Sequence, residues 1–282
     1  MKEITADMIK ELRERTGVGM GKCKEALVLA EGDIEKAIDV LRKAGMASAA
    51  KKEGRETKEG LIVTAEDKQR LVLIEANAET DFVVQNDRFK HFVHDCIKQA
   101  LEGQVGSLEG LMKMPYYKDK TITLDQYRNL VIQALGENIQ IRRIETITKH
   151  PNSSYGIYSH MGGKLLVVVE VEGAHGEDAI AKEVAMHVAA ENPDYVTAEE
   201  VPPTVIAREE EIARSQVKDK PSNIVDKIVA GKVKAYIDQF CLLHQKYIKD
   251  SSVTVAQFVE ICGKKIGKVL KVKCFWRWKV GQ

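Results

Sequence analysis

The sequence predicts an α+β protein built from several modules, and three observations carry that prediction. Apolar residues recur at helical spacing over the first 45 residues, strand-like alternation takes over from Gly60, and a pair of long helices interrupts the last third. At 282 residues the chain is long enough for two or more hydrophobic cores. The expected division is a three-helix N-terminal module at 1–45 and a linker at 46–60. Two core subdomains follow, one at 61–150 and one at 151–200 with 248–282, and a helical hairpin occupies 201–247.

In the first module, Ile4, Met8, Ile9 and Leu12 share one helical face. So do Cys23, Ala26, Leu27 and Ala30, and then Ile34, Ala37, Ile38 and Leu41. Thr5 and Asp33 stand where N-caps belong. Gly17, Gly19 and Gly21 fall between the first two helices; they lack the G-x-x-x-x-G-K-[ST] spacing and a preceding strand, which excludes a phosphate loop. The loop instead reads as an exposed apolar tip carrying Val18 and Met20. Residues 46–60 are small, charged and Gly-containing; they read mainly as a linker, with an extension of the third helix by a turn as the alternative.

Leu61–Val63 and Leu71–Ile74, joined through Glu66-Asp67-Lys68-Gln69, predict a β-hairpin. The run Glu75-Ala76-Asn77-Ala78-Glu79-Thr80-Asp81-Phe82-Val83 comes next, ahead of a helical pattern that starts near Asn86. Strand-to-helix junctions are where rigid scaffolds present functional groups. Asp81 beside Phe82 is either a helix cap beside a core anchor or an exposed charged-and-apolar wedge for another protein. Phe89, Phe92, Val93, Cys96, Ile97 and Ala100 line the helix that follows; Tyr127, Val131, Ala134 and Leu135 mark another, ending near Gly136, and Ile139–Ile147 is strand-like.

The plan then repeats. Gly156–Tyr158 and Leu165–Val171 form a second hairpin with Gly162-Gly163 in its turn, and a helix over 180–190 stops at Pro193, which suggests an internal duplication. Val205, Ile206, Ile212, Ala213 and Val217 give a narrow helical stripe. After a break at 218–223, Ile224, Ile228, Val233, Tyr236, Ile237, Phe240 and Leu243 give another, predicting an antiparallel hairpin that protrudes as an arm. Leu270–Val280 alternates as a half-buried strand.

Composition narrows the function classes. Lys and Arg number 43 against 42 Asp and Glu, a net charge of +1, without the basic footprint of a nucleic-acid binder. The seven basic residues between Lys264 and Lys279 alternate with the apolar face that holds both tryptophans, so they read as a solvated edge. The five cysteines form no C-x-x-C, which points to reduced thiols in a cytoplasmic protein. No apolar run approaches the ~20 residues of a membrane span, and the N-terminus has no apolar signal region. His91, His94 and Cys96 lack a further ligand cluster at metal spacing, and no nucleophile–base signature is present. His187 reads as a satisfied packing residue and His160, at a turn, as exposed. The expectation is a non-enzymatic protein with no metal or cofactor, no membrane contact and no direct nucleic-acid partner.

Several motifs together resemble the bacterial translation elongation factor Ts family. They are Leu12-Arg13-x-x-Thr16-Gly17-Val18-Gly19-Met20 with Cys23-Lys24-Glu25-Ala26-Leu27, Gly32–Ala37, and the Glu75–Val83 run. Gly136-Glu137-Asn138-Ile139-x-Ile141-Arg142-Arg143, Tyr158-x-His160-x-Gly162-Gly163, Ala185–Ala190 and the segment from Lys220 through Tyr247 complete an end-to-end match. The resemblance implies a ubiquitin-associated-like N-terminal module, two related α+β subdomains and a protruding coiled-coil hairpin. It also implies guanine-nucleotide exchange on elongation factor Tu. Asp81 and Phe82, flanked by Thr80 and Val83, would be the wedge that promotes GDP release. Leu135-Gly136 would intrude nearby, Leu12, Arg13, Val18, Gly19 and Met20 would carry the N-terminal grip, and His160 would meet another domain of the partner. The chain departs from the family pattern at Ala76, Ala78 and Val84-Gln85, and it stops at Val280-Gly281-Gln282, where some members continue into a contacting helix. The alternatives are an adaptor for ubiquitin-like folds, using the N-terminal module alone, and a metal or thiol enzyme around His91, His94 and Cys96.

Overall fold

The computed structural model describes residues 3–217 and 221–282. Helix α1 (Ala6–Thr16) starts at Thr5, whose hydroxyl accepts from the Met8 amide at 3.3 Å, and ends at Gly17 in the left-handed region, φ 66°. Helix α2 (Met20–Leu29) follows, and α3 (Ile34–Ala50) is capped by the Asp33 carboxylate on the Lys36 amide at 3.1 Å. Leu12, Val18, Cys23, Leu27, Ala37 and Leu41 bury together as the core of these three helices. Helix α3 runs on to Ala50, into the stretch read as linker. Its Ala-rich last turns favour helix, and Ala49 packs on the next core.

The chain divides into two compact units. The first is the chain up to Lys149 with Gly162–Lys164 and Lys279–Gln282; the second is His150–Met161 with Leu165–Trp278. In the first, β1 (Glu59–Glu66) and β2 (Arg70–Ala78) form the expected hairpin. Its turn is held by Asp67, which accepts from the Gln69 and Arg70 amides at 2.8 and 2.7 Å. A single turn of helix, α4 (Asp81–Gln85), leads into α5 (Asp87–Glu102). Then come α6 (Leu108–Lys113), a small hairpin of β3 (Pro115–Tyr116) and β4 (Asp119–Thr123), α7 (Leu124–Leu135) and β5 (Ile139–Thr148). Strand β5 adds to β2, giving the order β1-β2-β5. Phe89, Phe92, Val93 and Cys96 of α5 share one core with Val72, Ile74, Ala76 and Ala78 of β2 and Leu130–Ile132 of α7. Ala76 and Ala78, the first two of the expected departures, are thus fully buried in the same cluster as two phenylalanines. A third, Val84, is also core, while the fourth, Gln85, is exposed and accepts from Lys90 at 3.0 Å.

The second unit has the same topology. Strands β6 (Ser153–His160) and β7 (Leu165–Glu172) form a hairpin covered by α8 (Asp178–Glu191). Helices α9 (Pro203–Ser215) and α10 (Ser222–Phe240) are inserted next, linked by an Arg214–Asp226 ion pair at 2.9 Å. The remaining order is β8 (Lys246–Tyr247), β9 (Asp250–Thr254), α11 (Val255–Ile266) and β10 (Lys271–Lys279), with β10 added to β7. Side-chain chemistry repeats with the topology. Asp95 on α5 accepts from Tyr116 and Lys118 at 2.6 and 2.8 Å, and Glu183 on α8 accepts from Tyr247 and Lys249 at 2.6 and 2.8 Å. Helices α7 and α11 open with the same Thr/Gln capping box, Thr123 with Gln126 and Thr254 with Gln257.

Two expectations need correction or restriction. The second long helix stops at Phe240 instead of reaching Leu243, because the Phe240 carbonyl accepts from the Asp194 and Tyr195 amides at 2.9 and 3.2 Å, and Leu242 turns into the core. Of the predicted break at 218–223, residues 218–220 lie outside the described residues. No described helix is long and apolar enough to cross a membrane.

Candidate functional site

The site forms where β2 ends. Residues Glu75, Glu79 and Asp81, within seven positions of one another, go to three environments. Glu75 is fully buried; it accepts from Arg143 Nε at 2.7 Å and from the Gly281 amide at 2.9 Å. Those donors occupy both of its oxygens, so it is a structural carboxylate tying β2, β5 and the chain's last residues together. Glu79 is part-buried and accepts from the Asn138 amide at 2.6 Å. Asp81 opens α4 and is exposed to water.

Thr80, not Asp81, caps α4: its hydroxyl accepts from the Val83 amide at 3.5 Å. One turn of helix then sorts the side chains. Val83 and Val84 point into the core at 8% and 3% exposure, and Phe82 points out at 84%. The core-anchor expectation for Phe82 is therefore overturned. The two valines fill the space between α4 and the sheet, and the helical phase leaves Phe82 on the opposite side. An aromatic ring left this open is unusual, whereas scattered exposed aliphatics are not.

The loop after α7 comes to the same place. Gly136 ends α7 with φ 84°, a conformation that suits glycine; it is exposed and Leu135 is half-buried. Beyond it, Glu137 accepts from the Thr80 amide and hydroxyl at 3.0 and 2.6 Å. Asn138 donates through Nδ2 to the Glu53 and Arg55 carbonyls at 3.2 and 2.8 Å. The structure thus brings Asp81-Phe82 and Leu135-Gly136 together on one loop pair. Nearby, Lys164 donates to Glu59 at 2.8 Å; that bond, with the charges of Glu59 and Asp81, holds the Lys164 ammonium pKa above its ordinary value.

The first glycine loop is tied to the same unit. Arg88, just past α4, donates through Nη1 to the Gly17 carbonyl. Arg13, Gly19 and Met20 are exposed, with Met20 at 51%. Leu12 and Val18, grouped with them by sequence, are fully buried. The expectation that Val18 sits on an exposed apolar tip is wrong: it packs into the three-helix core, where its carbonyl accepts from Cys23 Sγ at 3.3 Å. In the second unit His160 is exposed at the end of β6, with its ring 5.9 Å from that of Tyr158 and its Nδ1 3.2 Å from the tyrosine hydroxyl.

Other polar and reactive groups have structural surroundings. His187 is buried, bonded through Nε2 to Gln245 at 2.9 Å and accepting through Nδ1 from the Ile248 amide at 3.3 Å, and burial pushes its pKa down. Cys96 is buried and its thiol pKa is pushed well up, the opposite of an activated nucleophile. His91 and His94 are exposed on α5, turned away from Cys96. Glu137 and Asn138 were not singled out by sequence reasoning as site residues, although they stand inside the Gly136–Arg143 motif.

The family model described as "Elongation factor TS" matches residues 79–282. The chain is 53% identical to Elongation factor Ts of Protochlamydia amoebophila over 282 residues. It is 40% and 39% identical, over 281 residues, to Elongation factor Ts of Chlamydia muridarum and Chlamydia felis, each alignment covering 100% of both chains. Matches of that length and identity make the chain a translation elongation factor, a protein of protein biosynthesis. It belongs to the elongation factor Ts family. The adaptor alternative is not favoured, since relatives named Elongation factor Ts align over the whole chain, including the first three helices on which that alternative depended.

Proposed function

We propose that the chain is a guanine-nucleotide exchange factor that binds elongation factor Tu in the cytoplasm and promotes GDP release, without catalysing a covalent step. The observation that carries this is Phe82, held 84% exposed on a capped turn at a strand-to-helix junction. Thr80 and Val83 fix the turn, and Asp81 and Phe82 enter the partner's GTPase domain between two helices, disturbing its magnesium site and phosphate loop. Leu135-Gly136 makes the neighbouring intrusion. Arg13, Gly19 and Met20 supply the N-terminal grip, with Leu12 and Val18 supporting that loop from beneath. His160 meets a further domain of the partner. In this proposal α1–α3 act as a ubiquitin-associated-like module and α9–α10 as a protruding coiled-coil arm. The division at 1–45, 46–60, 61–150, 151–200 with 248–282, and 201–247 describes working modules.

Exchange by linkage sets the scale. A factor that weakens GDP is itself weakened by GDP to the same degree, and a coupling of ~10⁴ needs about 5.5 kcal/mol of differential binding. Burial of one Phe contributes about 1.5–3 kcal/mol, so Phe82 acts with Asp81 and with anchors on other elements. The test is stopped-flow release of fluorescent GDP from purified elongation factor Tu with rising amounts of this protein. Acceleration that saturates supports the proposal; an unchanged release rate, with the protein folded, overturns it.

A further inference from the structure

Helix α4 is too short to hold itself. One hydrogen-bonded turn does not repay the order it imposes, so its conformation must come from outside. Part of the outside support is the burial of Val83 and Val84 in the core, and the rest is a reciprocal pair of acidic side chains bonded across two loops. Glu79, before α4, accepts from the Asn138 amide at 2.6 Å, and Glu137, after α7, accepts from the Thr80 amide at 3.0 Å and hydroxyl at 2.6 Å. Because the Thr80 hydroxyl gives its proton to Glu137, its lone pairs are turned to the Val83 amide, the capping bond of α4. Asn138 is itself fixed to the Glu53 and Arg55 carbonyls, so the strut reaches back to the segment preceding β1. Glu137 touches neither Asp81 nor Phe82 through any described hydrogen bond; its contact is with the residue that caps their turn.

We infer that Glu137 is a positioning residue that sets the angle at which α4 presents Phe82 and locks the Gly136 loop to it, so that both enter a partner as one rigid element. This rests on the exchange proposal and adds a residue to it. A rigid wedge contributes its binding where the partner is being distorted; a loose one still binds but loses part of that strain to its own motion. Removing Glu137 should thus lower the maximal rate of GDP release more than the half-saturating concentration. Two hydrogen bonds are removed, but the buried Val83 and Val84 still hold part of the turn, so the loss is expected at about tenfold, the lower edge of the scale for a single charge-assisted hydrogen bond. Glu137→Gln keeps one acceptor and the side-chain volume, and should lose only about threefold by the same scale.

The experiment titrates wild type, Glu137→Ala and Glu137→Gln against elongation factor Tu carrying fluorescent GDP, with amide hydrogen exchange of α4 measured on the same proteins. The expected result is a maximal rate that falls in the order wild type, Gln, Ala, a half-saturating concentration within about threefold of wild type, and faster exchange at the Val83 and Val84 amides. Wild-type maximal rates in both variants overturn the inference. So does a loss in Glu137→Ala that appears wholly in the half-saturating concentration, or one that accompanies faster exchange across the whole first unit. If Glu137→Ala does not fold, the isosteric Gln variant decides by the same criteria. Absence of any acceleration by the wild type is a separate outcome and overturns the exchange proposal itself.

Discussion

On the proposed exchange role, Phe82→Ala separates docking from folding. The ring is 84% exposed and contributes little to the core, so truncation should change the unfolding free energy by no more than about 0.5 kcal/mol. Nearly all of the apolar surface of the ring remains to be buried on docking. That burial is about 1.5–3 kcal/mol for a Phe, or about ten- to hundredfold in an equilibrium or a rate. The accelerated rate of GDP release should fall by that factor, while complex formation stays measurable through the other contacts. Phe89→Ala is the matched contrast: Phe89 is fully buried on α5, so its loss should cost about 3–5 kcal/mol of stability. The assays are stopped-flow GDP release at saturating factor and denaturant unfolding of each variant. A Phe82→Ala protein that is as stable as wild type and within twofold of its exchange rate would refute the wedge assignment. A Phe82→Ala protein destabilised like Phe89→Ala would refute the placement of the ring.

Further outcomes follow from burial and charge. Met20→Ala should weaken complex formation without loss of stability. Val18→Ala, fully buried, should loosen the three-helix core by about 1–3 kcal/mol in proteolysis or unfolding assays. Asp95 is opposed by burial, but hydrogen bonds from Lys118, Tyr116 and Tyr117 outweigh it and hold its pKa below the ordinary 3.8. Its contribution is therefore present above that value and lost as pH falls through the folded pKa; Asp95→Ala should cost about 3 kcal/mol at neutral pH in urea unfolding. Burial lowers the His187 pKa below 6.5, so the unfolded chain takes up the proton first. Stability should be full above 6.5 and decline as pH drops below it towards the folded value; unfolding measured from about pH 7.5 to about pH 5 should show a shallower decline in His187→Gln.

Much of the architecture was written in local pattern. The period change at Gly60, the two hairpins, the last strand as a half-buried element and the caps at Thr5 and Asp33 each depend on residues within a few positions of one another. Such signals survive without tertiary context. The small β3–β4 and β8–β9 hairpins did not, because strands of two to five residues are too short to show a period. Their equivalence becomes plain only when Asp95 with Tyr116 and Glu183 with Tyr247 are seen as one repeated contact.

The sequence by itself determined the family, the order of elements and the candidate segments, because motif identity and apolar period are properties of neighbouring residues. Only the tertiary structure decided which of those segments' side chains reach water. Val18 and Phe82 are both apolar residues at a loop–helix boundary, yet one is fully buried and the other 84% exposed. The difference lies in what covers each: three helices close over Val18, while Val83 and Val84 occupy the core beneath α4 and turn Phe82 outward. The Thr80–Glu137 contact joins residues 57 positions apart and has no local signature at all. Burial and long-range hydrogen bonding are set by the partner surface, and that surface exists only once the chain has folded.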